Sequence, residues 1–598
     1  MRGSVSAVPD GEAGVRGPEP AEAVLRDGAV LRADLYRPPP TVPGPWPVLL
    51  ARCPYGRRDP GILDRLRPRA AAARGYLVVI QDTRGRFGSG GEWEPLVHEY
   101  DDGYDTVRWA ARLPGCDGRV AMYGPSYLGH TQWAAIAAGA PELVAAVPGF
   151  TWADPYDGLL ARGGARELGL LAQWSLGLGE EVLRRRYAAG SGELSRALAE
   201  LADSTGALGS RVHWELPADD LPSLRRLALP VPGRPGGPPV RDTALADVGV
   251  PTLTVAGWYD VFLQGSLDNY RRTRAAGRPA ALIVGPWTHD NQTRYVGELD
   301  FGARSAAESL DGGRSLAARE LDWLDARLAE REAGAAVGGR PSASPAGSPL
   351  APEPAEAESA DPTTGPAGAD AYPVNVFVMG VNRWLPLADW PPPATETAWY
   401  LHPGGGLAPA PPPVDGDAGA AGVIRHSGDD PAPVRGGALL LADGFPAGPY
   451  DQRAVERRPD VLVYTGAPLT RPLAVVGRIR AVLVVTADAP GADWVVRLCD
   501  VGPDGVSYNL ADGIARAGHA PCQAREVAVD LWSTAHVLLP GHRLRVQVAA
   551  AGFPRWDRSP AALAGPVTQT VHHTAARPSR LLLPRFAGTG AGPPALTG

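Results

Sequence analysis

Short apolar runs alternate with helix-period segments through the first half of the chain. Residues 46–51 (WPVLLA) and 76–80 (YLVVI) are unbroken apolar runs between turn residues, the pattern of strands buried on both faces. Between them, residues 63–74 predict a helix that Pro68 interrupts. Residues 101–112 predict a second helix, with Tyr104, Val107, Trp109 and Ala111 among its larger apolar positions. Residues 119–123 (RVAMY) predict a strand, and the Ala-rich stretch 126–138 a helix after it. From 152 to 229 only helical segments show, such as 167–176 and 180–187. The strand signal returns at 251–256 (PTLTVA) and 281–284 (ALIV), each followed by Gly, with helices predicted at 263–274 and 316–333. Strands alternating with helices imply α/β architecture, a mostly parallel sheet covered on both faces.

The pattern then changes twice. Residues 334–371 are Ala, Gly, Pro, Ser and acidic residues that can bury almost nothing, which predicts a flexible linker. After it, VNVFVM, LLLA, VLVY, AVLVVTA, WVVRLCDV, EVAVDL and RLRVQVAA alternate at period two between Gly/Pro turns, as in an antiparallel sandwich or jelly roll. Residues 1–22 are small, polar and Pro-containing and are expected to be disordered. The expected organisation is an α/β domain from 23–150 and 246–333, an inserted helical cap at 151–245, the linker at 334–371, and a jelly roll at 372–598.

Composition narrows the chemistry. All 58 basic residues are arginine, which excludes a Schiff-base lysine and a phosphate-loop lysine. A net charge of -7 argues against a nucleic-acid partner held by a broad basic surface. The four cysteines form no CxxC pair, so neither a zinc knuckle nor a redox dithiol is expected, and no metal site is predicted. No apolar run of about 18 residues suggests a membrane span, and the N-terminus lacks the apolar core of a signal peptide, so a cytoplasmic location is expected.

The RVAMY strand ends at Gly124-Pro125-Ser126-Tyr127-Leu128-Gly129. A serine on a tight strand-to-helix turn is a nucleophile elbow, which exposes the hydroxyl and turns the next N–H toward developing negative charge. The generic form is G-x-S-x-G; here the second glycine comes one place late. Asp260 ends Gly257-Trp258-Tyr259-Asp260 after PTLTVA, and His289 ends Gly285-Pro286-Trp287-Thr288-His289 after ALIV. Both therefore sit at strand C-terminal ends, where open α/β sheets place ligands. Of 11 histidines only His289 follows an acid-bearing strand end this way. Serine needs a base to take its proton, and His289 would do so while Asp260 orients it. Asp268 is the competing acid, but it falls within a predicted helix.

GPSYLG, GWYD and GPWTH, in this order, resemble the cocaine esterase and X-prolyl dipeptidyl-peptidase family of serine hydrolases (CocE/NonD type), whose elbow reads G-x-S-Y-x-G. Arg52-Cys53-Pro54-Tyr55, Asp82-Thr83-Arg84-Gly85 with Ser89 and Gly91, and Phe377-Val378-Met379-Gly380 with Asn382-Arg383-Trp384 extend the resemblance. So do Tyr464-Thr465-Gly466 and Phe553-Pro554-Arg555-Trp556-Asp557-Arg558, so that it spans about 25–580. It implies an α/β-hydrolase domain with helical cap and C-terminal β jelly roll, the three parts that the pattern predicts independently. It also implies that the Tyr55 hydroxyl and the Tyr127 N–H form the oxyanion hole, since a phenol donates a strong hydrogen bond while neutral. The Asp82–Gly85 loop is expected to shape the fold through an internal Asp–Arg pair.

Trp152, Phe262 and Trp258 are candidate pocket aromatics, on which an apolar aryl or acyl group could pack. The expected reaction is hydrolysis of a carboxylic ester or amide of a small molecule, with no cofactor. Three alternatives stay open: an X-prolyl or amino-ester hydrolase, the same triad turned to acyl transfer or elimination on a specialised metabolite, and an inert binding protein. Exposed jelly-roll edges leave a homodimer open.

Overall fold

Ten strands form the first sheet of the computed structural model, which describes residues 12–208, 210, 222–233, 248–337, 373–413, 421–441, 444–518, 520–586 and 588. They are β1 (Arg16–Val24), β2 (Val30–Arg37), β3 (Trp46–Cys53), β4 (Leu77–Asp82), β5 (Cys116–Pro125), β6 (Leu143–Gly149), β7 (Thr252–Tyr259), β8 (Ala280–Thr288), β9 (Val374–Val378) and β10 (Arg383–Leu387). Their spatial order is β1-β2-β4-β3-β5-β6-β7-β8-β9-β10. The strands from β4 through β9 run parallel, while β1, β2 and β10 pair antiparallel at the margins. Every residue of β4, β6 and β7 is buried, as a sheet covered on both faces requires.

Helices α1 (Pro60–Leu66) and α2 (Pro68–Ala73) follow β3. They share the stretch read as one helix and break at Arg67, whose φ of 46° is left-handed, before Pro68. Helices α3 (Glu99–Ala110) and α4 (Tyr127–Ala138) flank β5. The cap follows β6 with α5 (Leu168–Gly177), α6 (Gly179–Arg186), α7 (Gly192–Gly206) and α8 (Pro222–Arg226). Leu171, Leu176, Leu183, Leu201 and Leu229 form its apolar centre. Helix α9 (Leu263–Ala275) joins β7 to β8, and α10 (Leu316–Val337) runs on through 334–337, the first residues expected in the linker. The rest of that expected linker, 338–371, lies outside the described residues, as do 1–11 of the expected disordered N-terminus and 209, 211–221 and 234–245 of the expected cap. No described helix is long and apolar enough to cross a membrane.

Two expectations on where segments belong are corrected. The stretch 16–22 is not disordered: β1 pairs with β2 through Ala21↔Ala33 and Ala23↔Leu31. Its side chains are small and polar, but a margin strand needs only backbone hydrogen bonds and a few buried positions such as Ala23. The strand VNVFV, assigned by pattern to the jelly roll, instead extends the first sheet, with Leu282↔Val374 and Val284↔Val376 in register. Period two marks a strand without saying which sheet it joins. The apolar edge of β8 takes it, burying Val374, Val376 and Val378.

A second sheet of twelve strands makes the C-terminal jelly roll. Leu473–Ala487 and Arg525–Leu538 pair antiparallel along its length, around Leu483, Trp494, Val496, Val529 and Leu581. LLLA is not a strand: 439–441 is irregular backbone beside the cap. The cap is tied to the jelly roll at two places. Its hairpin, Ala161–Arg162 with Ala165–Arg166, sets the Arg162 guanidinium 3.6 Å over the Trp532 ring and donates to the Asp512 carbonyl at 2.6 Å. The second tie is the FPRWDR segment. Arg555 and Glu167 are fully buried and paired at 3.4 Å, Arg555 also bonds Asp512 at 2.8 Å, and Trp556 Nε1 donates to Glu167 at 2.9 Å.

Candidate active site

Three side chains meet at the C-terminal ends of β5, β7 and β8. Ser126 Oγ lies 3.0 Å from His289 Nε2, and His289 Nδ1 lies 2.8 Å from Asp260 Oδ1. Asp260 is fully buried and His289 5% exposed. The Phe262 ring stands edge-on to the imidazole at 5.3 Å. Asp268, the competing acid, lies in α9, where its carboxylate accepts from Gln264 Nε2 at 3.0 Å.

The elbow is strained backbone, with Ser126 at φ 61°, ψ -126°, rare for a residue with a side chain. Two glycines allow it. Gly124 has φ 123°, and a Cβ there would come 2.9 Å from Leu128. A Cβ on Gly129 would come 2.8 Å from Thr151 and 3.1 Å from the Gly149 carbonyl. The late second glycine is thus the point where α4 crosses the end of β6. The Tyr127 N–H is the first of α4, ahead of the helix's own hydrogen-bond ladder, which starts with the Gly129 and His130 N–H groups on the Ser126 carbonyl.

Tyr55 lines the same cavity as Ser126. Its oxygen accepts from Trp174 Nε1 at 3.3 Å, which leaves the phenol proton to donate elsewhere. Burial pushes this phenol up to about 12, so it stays protonated across the neutral and mildly alkaline range. The Tyr127 side chain faces away. Its hydroxyl donates to Glu99 at 2.9 Å and accepts from the Leu96 N–H at 2.9 Å. Glu99 in turn pairs with buried Arg52 at 2.8 Å, so the Arg52 of the RCPY motif steadies the start of α4.

The Asp82–Arg84 pair expected within the DTRG loop does not form. Asp82 accepts from the Arg57 N–H at 2.6 Å and pairs with its guanidinium, while Arg84 pairs with Asp102 at 2.6 Å. Oppositely charged residues two apart here meet different neighbours, and Asp82 anchors the loop that carries Tyr55.

Trp152 and Phe262 pack edge to face at 5.0 Å and wall a narrow apolar recess beside Ser126, with Leu159, Leu170 and Trp174. Trp258 is not in it. Its Nε1 donates to the Phe377 carbonyl at 2.6 Å and its ring packs on Trp390, because β7 turns it to the face under β9. The cavity also takes residues that the sequence reading passed over: Arg65 of α1, Gln173 and Trp174 of α5, and Leu440 of the irregular LLLA stretch. Leu170, Gln173, Trp174 and Gly177 lie three and four apart on one face of α5, a spacing that could have flagged them.

A serine on a strand-to-helix turn, with its base and acid on the ends of neighbouring parallel strands, defines a serine hydrolase of the α/β-hydrolase fold. Residues 27–291 match the X-Pro dipeptidyl-peptidase (S15) family, and 367–582 match the X-Pro dipeptidyl-peptidase C-terminal non-catalytic domain. The chain is 33% identical over 575 residues to the cocaine esterase of Rhodococcus sp. (strain MB1 Bresler), which covers 90% of this chain and 91% of that one. It therefore belongs to the cocaine esterase and X-Pro dipeptidyl-peptidase family.

Two solved structures share the whole fold. An aminopeptidase from a marine sediment archaeon, Thaumarchaeota archaeon, has a TM-score of 0.68 at 22% identity, covering 98% of this chain and 99% of its own. An α-amino acid ester hydrolase labelled with selenomethionine has 0.66 at 23%, covering 98% and 100%.

Proposed function

We propose that this protein hydrolyses carboxylic esters of small organic molecules through an acyl-enzyme, with Ser126 as nucleophile, His289 as base and Asp260 as orienting acid. The observation that carries this reading is the unbroken chain Ser126 Oγ, His289, Asp260 at 3.0 and 2.8 Å. Ser126 Oγ attacks the ester carbonyl as its proton passes to His289 Nε2. The oxyanion takes hydrogen bonds from the Tyr55 hydroxyl and the Tyr127 N–H. Collapse breaks the bond to the alcohol, which leaves with the proton from His289. Water, deprotonated by the same nitrogen, then releases the acid. Asp260 keeps the Nδ1 proton in place and stabilises the imidazolium in both halves.

Intact-mass measurement after fluorophosphonate treatment tests the assignment. A single adduct is expected on wild type and none on Ser126→Ala; an adduct that persists in the variant would move the nucleophile elsewhere. Tyr55→Phe removes one oxyanion donor and should lower kcat on a 4-nitrophenyl ester by about 10²–10³-fold while leaving labelling stoichiometry intact. An unchanged kcat would remove Tyr55 from the mechanism. The family match also favours a peptidase reading, which requires release of 4-nitroaniline from Xaa-Pro-4-nitroanilides. A homodimer and a cytoplasmic location remain part of the proposal.

A further inference from the structure

The cavity over Ser126 has a volume of 360 Å³ and extends to α1, where Ile62, Arg65 and Leu66 form its wall. It opens into a vestibule of 970 Å³ that shares Tyr55, Ile62 and Arg65 with it. The vestibule is lined by Arg57, Arg58, Arg65, Arg86 and Arg184. Four of these are paired. Arg57 meets Asp34 at 3.2 Å, Arg58 meets Asp34 at 2.5 Å, Arg86 meets Glu181 at 2.7 Å and Arg184 meets Glu180 at 2.7 Å.

Arg65 differs. Among the described residues no carboxylate lies within ion-pair distance of its guanidinium, whose one hydrogen bond is a long contact of 3.5 Å to the His289 carbonyl. The group also lies 5.5 Å over the Phe150 ring. A guanidinium has five N–H donors, so most of Arg65's capacity is unspent at the wall of the reaction chamber. The acids that act on it from a distance are Asp290, Asp260 and Glu320. Asp290 is exposed to water, Asp260 is engaged with His289, and burial pushes Glu320 up to about 7. A part-buried cation without a counter-ion is costly, and a substrate anion relieves that cost.

Resting on the ester-hydrolase reading above, we propose that Arg65 selects esters whose alcohol half carries a carboxylate, held by its guanidinium while the acyl half enters the Trp152–Phe262 recess. The direction follows from proton delivery. His289 Nε2 must reach the leaving oxygen, and Arg65 touches the backbone of that same residue, so the alcohol half lies on the Arg65 side. The recess, together with the part of the 360 Å³ cavity that it adjoins at Ser126, Leu170 and Trp174, remains for the acyl half.

Three benzoyl esters of similar size test this with the full-length protein: O-benzoylglycolate, the benzoyl monoester of ethylene glycol, and benzoylcholine. Wild type should favour the anionic ester over the neutral one by about tenfold or more in kcat/KM, the scale of a charge-assisted hydrogen bond. Arg65→Gln should remove that preference, bringing the ratio of kcat/KM for the anionic ester to that for the neutral one down to about one. Arg65→Glu should invert the order in favour of benzoylcholine, an outcome that a merely unfolded variant cannot produce. Equal losses on all three esters, or no preference in wild type, would overturn the proposal. So would an Arg65-dependent preference for 4-nitrophenyl hemisuccinate, whose anion is on the acyl side. Fluorophosphonate labelling of each variant separates the two levels. Labelled protein that hydrolyses the neutral ester without discrimination refutes the Arg65 assignment alone. Unlabelled wild type that hydrolyses none of the esters refutes the hydrolase reading itself.

Discussion

Asp260→Asn is expected to lower kcat about 10⁴-fold while leaving the protein folded. The carboxylate is fully buried, and its Oδ1 accepts the Nδ1 proton of His289 at 2.8 Å. An amide of the same shape can present its NH₂ there instead. The imidazole would then carry its proton on Nε2, the nitrogen that must accept from Ser126 at 3.0 Å. Asparagine also loses the negative charge that stabilises the imidazolium. Steady-state kinetics on a 4-nitrophenyl ester, with a thermal melt of the same sample, provide the check. A kcat within tenfold of wild type, at an unchanged melt, would show that Asp260 does not orient the base.

Arg555→Met should produce the largest loss of stability, about 3–5 kcal/mol. Arg555 is wholly buried between Glu167 of the cap and Asp512 of the jelly roll. Among the described residues, its removal leaves Glu167 with no ion-pair partner and Asp512 with only the longer contact to Arg162, at 3.5 Å. Breaking such a group is far worse than replacing all of it, so a triple variant with Glu167→Gln and Asp512→Asn should recover much of the loss.

The two acids respond to pH in opposite senses. Burial raises Glu167, so it costs stability above its unfolded value. Asp512 is held low by Arg555 and Arg162 against the burial that raises it; its contribution is present above its unfolded value and lost as pH falls through the folded one. Urea titration of wild type, single and triple variants would measure both effects. Gly169 N donates to the Arg555 carbonyl at 3.1 Å at the start of α5, which lines the cavity, so KM should rise in the single variant as well. A single variant as stable as wild type would show that the cluster is not what ties cap to jelly roll.

The triad was legible in the sequence because each member follows a short apolar run directly, and strand ends of a parallel sheet converge. The buried β6 (Leu143–Gly149) and the mostly buried β2 were less so. Residues 143–149 mix Ala, Pro and Gly with three large apolar side chains, which weakens any strand signal. Trp258 and Phe262 flank the same acid and look equivalent in sequence, yet Trp258 lies within β7 and turns under β9 while Phe262 lies past its end. Arg65 and Leu440 could not be read as site residues at all. One lies on a short amphipathic helix and the other on irregular backbone more than 300 residues from Ser126, and only tertiary packing brings both to the cavity.

The placement of β9 and β10 bears on how this protein can be taken apart. The strands enter the chain after β8 and the long helix α10, yet they complete the sheet that carries Ser126, Asp260 and His289. A fragment ending at Val337 would leave β8 with a bare parallel edge, and one starting at Val374 would carry two apolar strands with no sheet to join. The hydrolase and jelly-roll parts are thus not interchangeable modules. Swapping the C-terminal part between relatives also exchanges the outer wall of the catalytic sheet, and chimaeras joined before β9 test two changes at once.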